Sequence, residues 1–118
     1  MVLDGKQIAF LGAGNMTEAL VAGLLKAGLA RPKQLRATDV LPQRRAHLQA
    51  RYHLGTGADN VEAARWGQIL VFAVEPQVLD EVLGQVQSVV RPDALLVSVA
   101  AGFPLARVAR QVPANARL

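Results

Sequence analysis

The sequence predicts an α/β domain: a doubly wound parallel sheet with helices on both faces, three α/β/α layers in all. Three observations carry that expectation. Short β-prone runs alternate with longer stretches of helical periodicity along the whole chain. Two of the short runs, Ile8–Leu11 and residues 69–74, are apolar at every position, as central parallel strands covered on both faces must be. A glycine-rich turn, Gly12-Ala13-Gly14, joins the first of these runs to the first helical stretch.

The elements follow in order. Residues 7–11 form the first strand. A helix over residues 15–27 has Met16, Ala19, Leu20, Gly23, Leu24 and Ala27 at the spacing of a buried stripe. Gly28 ends it and Pro32 bars its continuation. Residues 35–38 form a short second strand ending at Asp39, and Pro42 stands near the start of a polar helix reaching Tyr52. A weak third strand over 54–56 precedes a short helix after Asp59. Residues 68–74 form the clearest strand. Pro76 suits the first turn of the next helix, where its missing N–H would be unpaired anyway. Val78, Leu79, Val82, Leu83, Val86 and Val90 give that helix its apolar face. Residues 94–99 make a fifth strand, Pro104 opens a last short helix, and Ala116-Arg117-Leu118 begins a sixth strand.

The 118 residues suit one domain spanning 1–118. With 52% hydrophobic and 19% charged residues the chain is too apolar for disorder. The absence of cysteine excludes disulfides, thiolate chemistry and zinc-thiolate sites. The apolar run over 69–74 falls far short of the roughly 18 residues of a spanning helix, and no signal-peptide pattern opens the chain. A cytoplasmic protein with no membrane partner is expected. The net charge of +4 comes from scattered basic residues, Arg44 and Arg45 being the only adjacent pair, with no aromatic ladder beside them. Nucleic acid is therefore not the expected partner; a polyphosphate ligand suits mild positive charge better.

The glycine turn is the candidate for that ligand. It follows a strand and opens a helix, and an acidic residue closes the next strand, which is the context a Rossmann-type dinucleotide fold requires. Gly12 makes the tight turn, and Gly14 lets the backbone approach a diphosphate without a Cβ in the way. The first N–H groups of the helix then face the phosphates. Thr17 stands at the third fingerprint position in place of Gly or Ala, which predicts looser packing of helix on strand. A structural turn without a ligand is the alternative. Asp39 lies farther beyond Gly12 than the roughly 20 residues usual for the ribose-binding acid. Its carboxylate can accept both ribose hydroxyls of NAD and repel the 2′-phosphate of NADP, while Arg44 and Arg45 can offset that repulsion. The same three can also be plain turn or N-cap and helix-surface residues, and by themselves they leave the choice between NADH and NADPH open.

Elsewhere no Ser/His/Asp cluster, paired carboxylate or metal-ligand spacing occurs. His47 and His53 read as surface residues, Trp66 as a packing residue, and Ser98 as a strand-end hydrogen-bonding group.

In these motifs the chain resembles the pyrroline-5-carboxylate reductases. Gly12-Ala13-Gly14-Asn15-Met16 is followed by Glu18-Ala19-Leu20; Asn60-Val61-Glu62 precedes the fourth strand; Ala73-Val74-Glu75-Pro76-Gln77 ends it; and Val97-Ser98-Val99-Ala100-Ala101-Gly102 ends the fifth. All four stand in the family's order. The resemblance implies NADH- or NADPH-dependent reduction of 1-pyrroline-5-carboxylate to proline, in proline biosynthesis. It implies that Leu11, Gly12, Ala13, Gly14, Asn15 and Met16 wrap the diphosphate. Asp39 would meet the adenosine ribose and Asn60 make a further cofactor contact. Ala73, Val74, Glu75 and Pro76, with Val99, Ala100 and Ala101, would line the nicotinamide side. Two positions depart from the family pattern. Glu75 replaces the usual Lys, and Asp39 stands where many relatives carry a small hydroxyl residue, which favours NADH. Family chains continue into an all-helical domain that mediates dimer formation and completes the substrate site. Residues 1–118 are thus expected to lack that domain, to hold no catalytic residue and to be inactive alone, the parent being a homo-oligomer. Another dehydrogenase of the same fold, acting on β-hydroxy acids or prephenate, and a non-catalytic nucleotide-binding module are the competing readings.

Overall fold

The computed structural model describes residues 3–99, so Ala100, Ala101, the helix expected at Pro104 and the strand expected at the chain end lie outside the described residues. Five strands and four helices alternate: β1 (Ile8–Leu11), α1 (Asn15–Lys26), β2 (Leu35–Thr38), α2 (Pro42–Tyr52), β3 (Gly55–Gly57), α3 (Asn60–Trp66), β4 (Ile69–Phe72), α4 (Pro76–Val86) and β5 (Leu95–Ser98), with a 3-10 turn at Pro32–Gln34. All strand pairs are parallel, in the order β3-β2-β1-β4-β5. The chain builds outward from β1 to β3, then crosses back to lay β4 on the other side of β1. That reversal opens a crevice at the carboxyl ends of β1 and β4, the place where open α/β sheets take their ligands.

Strand alternation divides the core in two. Ile8 and Phe10 of β1 pack with Val21, Ala37, Leu48, Leu54 and Val71 on the side of α1 and α2. Ala9 and Leu11 pack with Leu70, Phe72, Ala64, Leu79, Leu83 and Val86 on the side of α3 and α4. Each large side chain buried this way contributes roughly 1.5–3 kcal/mol. β1 is central, so both layers hold the glycine turn that follows it.

Helix boundaries follow local chemistry. Gly28, at φ +71, closes α1 with its own N–H bonded to the Leu25 carbonyl (3.1 Å) and the Leu29 N–H bonded to the Leu24 carbonyl (3.0 Å), the paired bonds of a Schellman stop. Asp59 caps α3, its carboxylate accepting from the Val61 and Glu62 N–H groups. Pro42 and Pro76 open α2 and α4 as first-turn prolines.

Two expectations need correction. The predicted stripe of α1 is rotated. Thr17 and Val21 are its buried residues, with Leu20, Leu24 and Leu25 partly covered, whereas Met16 is 53% exposed and Ala19, Gly23 and Ala27 face outward. This helix is apolar on most of its circumference, so its periodicity has no sharp phase, and the buried Thr17 counts as polar in any such pattern. The fourth strand ends at Phe72, two residues before the predicted end, because Ala73 turns towards Gly12 while its N–H still bonds the Leu11 carbonyl (2.9 Å).

Candidate functional site

The crevice encloses about 640 Å³ between the turn after β1, the end of β2 at Asp39–Leu41 and the turn after β4 at Ala73–Glu75. Val78 and Val82 of α4 form an apolar wall, with Asn60 and Arg44 on the side of the β2 end. Val40 (82% exposed) and Leu41 (47%) offer apolar surface at its mouth.

Its floor is set by Gly12. This residue has φ +113, and a Cβ there would lie 2.6 Å from the Ala73 carbonyl oxygen. Its N–H bonds the Thr38 carbonyl at 2.9 Å, so the turn is tied to β2 as it passes under β4. Thr17 adds a further tie. Fully buried, its hydroxyl donates to the Gly12 carbonyl at 2.5 Å. Where the sequence predicted looser packing at this position, a hydrogen bond joins helix to turn instead.

Gly14 differs. Its φ of −82 and ψ of −165 are open to any residue, and a Cβ would meet nothing within 4 Å among the described residues. It is the N-cap of α1, and no side chain caps the helix. The first N–H groups of a helix have no partner inside it, and they carry the positive end of its dipole. A diphosphate would supply the missing acceptors, and the bare backbone leaves room for it.

Around this turn sits a polar frame. Asp39 accepts from the Ala13 N–H through Oδ2 and from the Leu41 N–H through Oδ1, both at 2.9 Å. Arg44 Nε donates to the Ala13 carbonyl at 2.8 Å, and its Nη2 reaches Glu18 Oε1 at 3.3 Å. Glu18 also binds His47 Nε2 at 3.0 Å and accepts from the Tyr52 hydroxyl at 2.8 Å. These contacts, the His47 bond first and then that of Tyr52, outweigh partial desolvation and, with Arg44, lower the Glu18 pKa from 4.5 to about 2.

The predicted site residues divide by position. Gly12, Gly14, Asn15, Asp39, Asn60, Ala73, Val74 and Glu75 all line the crevice. Leu11 and Ala13 lie beneath it with buried side chains, and both backbone groups of Ala13 are already bonded. Met16 and Pro76 sit at the starts of their helices, outside the lining. Asn60 accepts from the Thr38 hydroxyl and donates to Gln85 Oε1 at 2.9 Å, bridging β2 to α4. The exposed Glu75 carboxylate accepts from the Gln77 side chain at the start of α4. Val99 follows β5 with its N–H on the Phe72 carbonyl at 3.1 Å. Ala100 and Ala101 lie outside the described residues.

Other expectations fare unevenly. Trp66 does pack against the core, under the Arg36 guanidinium at 4.2 Å. His53 is exposed and ends α2, but His47, though exposed, is bound to Glu18. The Ser98 hydroxyl was expected to bond at the strand end, yet it is buried without a hydrogen-bond partner among the described residues. Sequence reasoning missed the Glu18 frame. Its signal was present, because Arg44, His47 and Arg51 share one face of α2 at spacings of three and four, opposite the one acid of α1. Among the described residues no cluster of acidic and histidine side chains could hold a metal, and no helix is long and apolar enough to cross a membrane.

A family model described as NADP oxidoreductase coenzyme F420-dependent matches residues 7–102. The pyrroline-5-carboxylate reductase of Methanosarcina acetivorans is 37% identical over 103 residues, covering 87% of this chain and 38% of that protein. Pyrroline-5-carboxylate reductase 3 of Mus musculus is 36% identical over 117 residues, 98% of this chain and 42% of its own length. The chain thus spans about two-fifths of the length of these curated relatives. Among solved structures, the Plasmodium falciparum pyrroline carboxylate reductase with NADP bound superposes with a TM-score of 0.78 at 24% identity, over 92% of this chain and 38% of that one, a likeness of fold. The crevice, the glycine turn and the match over residues 7–102 converge: this chain belongs to the family described as NADP oxidoreductase coenzyme F420-dependent, and the relatives named here are pyrroline-5-carboxylate reductases.

Proposed function

We propose that the crevice holds NADH or NADPH for the reduction of 1-pyrroline-5-carboxylate to proline, with this chain supplying the dinucleotide-binding domain. The observation that carries the reading is Gly14 at the uncapped start of α1: among the described residues nothing lies within 4 Å of a Cβ there, which leaves the backbone open to a diphosphate. The curated relatives at 37% and 36% identity supply the reaction.

When bound, the dinucleotide supplies hydride chemistry, and the protein supplies binding and orientation. In this reading Gly14, Asn15 and Met16 hold the diphosphate by their backbone, with Leu11, Gly12 and Ala13 shaping the turn beneath. Asp39 takes the adenosine ribose and Asn60 holds the wall beside it. Ala73, Val74, Glu75 and Pro76, with Val99, border the nicotinamide, a role the resemblance also implies for Ala100 and Ala101. Glu75 keeps its negative charge at the crevice, and its bond to Gln77 directs the carboxylate without neutralising it. The imino acid and the proton it requires need groups beyond residues 1–118, in the further helical domain that the resemblance implies. Residues 1–118 alone therefore bind but do not turn over, since donor and acceptor carbons must be held together. A cytoplasmic homo-oligomer assembled through that domain completes the reading.

NADH is the preferred form. The Asp39 carboxylate is fixed by two N–H groups and meets a 2′-phosphate with like charge. The NADP-bound neighbour sets the opposite expectation, so the ratio of the two dissociation constants decides. The reaction itself is tested by incubating the full-length protein with 1-pyrroline-5-carboxylate and reduced dinucleotide. Substrate-dependent consumption is expected. None, with turnover of a β-hydroxy acid or prephenate instead, would transfer the domain to another dehydrogenase. Binding without any turnover would make it a nucleotide-binding module.

A further inference from the structure

We propose that Arg44 is a positioning residue for the diphosphate, acting through the Ala13 carbonyl, and not a ligand of the 2′-phosphate. The inference rests on the reading of the crevice as a dinucleotide site. Ala13 is gripped from two sides by opposite charges: its N–H by Asp39 Oδ2 at 2.9 Å, its carbonyl by Arg44 Nε at 2.8 Å. In a trans peptide the carbonyl and the following N–H point in opposite directions, and the described chain contains no cis peptide. The guanidinium that holds the Ala13 carbonyl therefore fixes the direction of the Gly14 N–H, the group at the open end of α1.

The same guanidinium is not free to turn elsewhere. Its Nη2 lies 3.3 Å from Glu18 Oε1, and the Arg44 side chain is only 26% exposed. Glu18 is itself anchored by His47 and Tyr52, both from α2. With Nε and Nη2 committed to Ala13 and Glu18, a 2′-phosphate would meet only the remaining N–H groups of Arg44, beside a competing carboxylate. The fork geometry suits this task, since one planar group reaches a carbonyl and a carboxylate at once, which an ammonium does less well. Arg44 thus carries a turn-building function that its place after the second strand, near the expected ribose site, does not announce.

The test measures dissociation constants for NADH and NADPH on the wild-type protein, Arg44→Met and Arg44→Lys, with thermal midpoints alongside. Arg44→Met is expected to weaken both dinucleotides by the same factor, about ten-fold, the scale of one charge-assisted hydrogen bond. Arg44→Lys keeps the charge yet remains weakened for both. Should Arg44→Met fail to fold, Glu18→Gln loosens the guanidinium without removing it, and a smaller loss, equal for NADH and NADPH, is expected. A loss confined to NADPH, or restored for NADPH by lysine, makes Arg44 a 2′-phosphate ligand and overturns the proposal. A lowered midpoint with unchanged dissociation constants makes it a mere tether between α1 and α2 and overturns it equally. If the wild type binds neither dinucleotide, the reading of the crevice fails first, and this inference with it.

Discussion

Gly12 and Gly14 stand two residues apart on one turn, in unlike surroundings. At Gly12 the protein itself demands it: φ is +113 and the Ala73 carbonyl would sit 2.6 Å from a Cβ. At Gly14 the backbone is ordinary, and no described residue comes within 4 Å of a Cβ. The first is a requirement of folding; the second, in the proposed reading, leaves the start of α1 bare for a diphosphate. A sequence motif merges the two; only the surroundings of each position separate them.

Substitutions can break or sharpen that contrast. The largest effect is expected for Gly12→Ala, where left-handed strain adds to a clash with backbone that cannot yield. Stability should fall by about 3 kcal/mol. A denaturant midpoint near wild type would break the contrast at once. Thr17→Val comes next, because it leaves the Gly12 carbonyl without its buried donor. A loss of about 2 kcal/mol in urea unfolding is expected. An unchanged value would mean that the turn holds Gly12 without help from α1.

Gly14→Ala should barely move stability. Its poorer N-cap and the stiffer unfolded chain work against each other, leaving a change within about 1 kcal/mol. Dinucleotide affinity should nevertheless fall about ten-fold or more, as a methyl fills the approach to the backbone. Calorimetric titration checks this, and equal affinity for variant and wild type would erase the distinction between the two glycines. The smallest effect concerns pH. Glu18 is held at a pKa of about 2 against its ordinary 4.5. A lowered folded-state pKa gives stability that is complete above the ordinary value and is lost as pH falls towards the folded one. Glu18→Gln should therefore flatten the acid-side loss of stability between pH 4.5 and about 2, and parallel profiles for the two proteins would argue against the frame.

The sheet was legible because its central strands are apolar on both faces and its helices start at prolines or end at glycine. The six residues from Leu11 to Met16 could be named because the motif places them close together in the chain. The rotated stripe of α1 was not legible, since an almost uniformly apolar helix gives no phase and Thr17 conceals its burial behind a hydroxyl. The Glu18 frame was hidden for another reason. Its members come from two helices separated by a strand, and only the fold brings the α2 stripe of Arg44 and His47 against α1. At Leu11 and Ala13 the motif names every residue in a run, while the fold turns these two side chains inward.

The most direct test is a crystal of this protein soaked with NADH or NADPH. Density for the diphosphate lying against the Gly14 backbone at the start of α1, with the ribose beside Asp39, is the predicted result. A dinucleotide bound elsewhere, with the turn after β1 left bare at saturating concentration, would contradict the account.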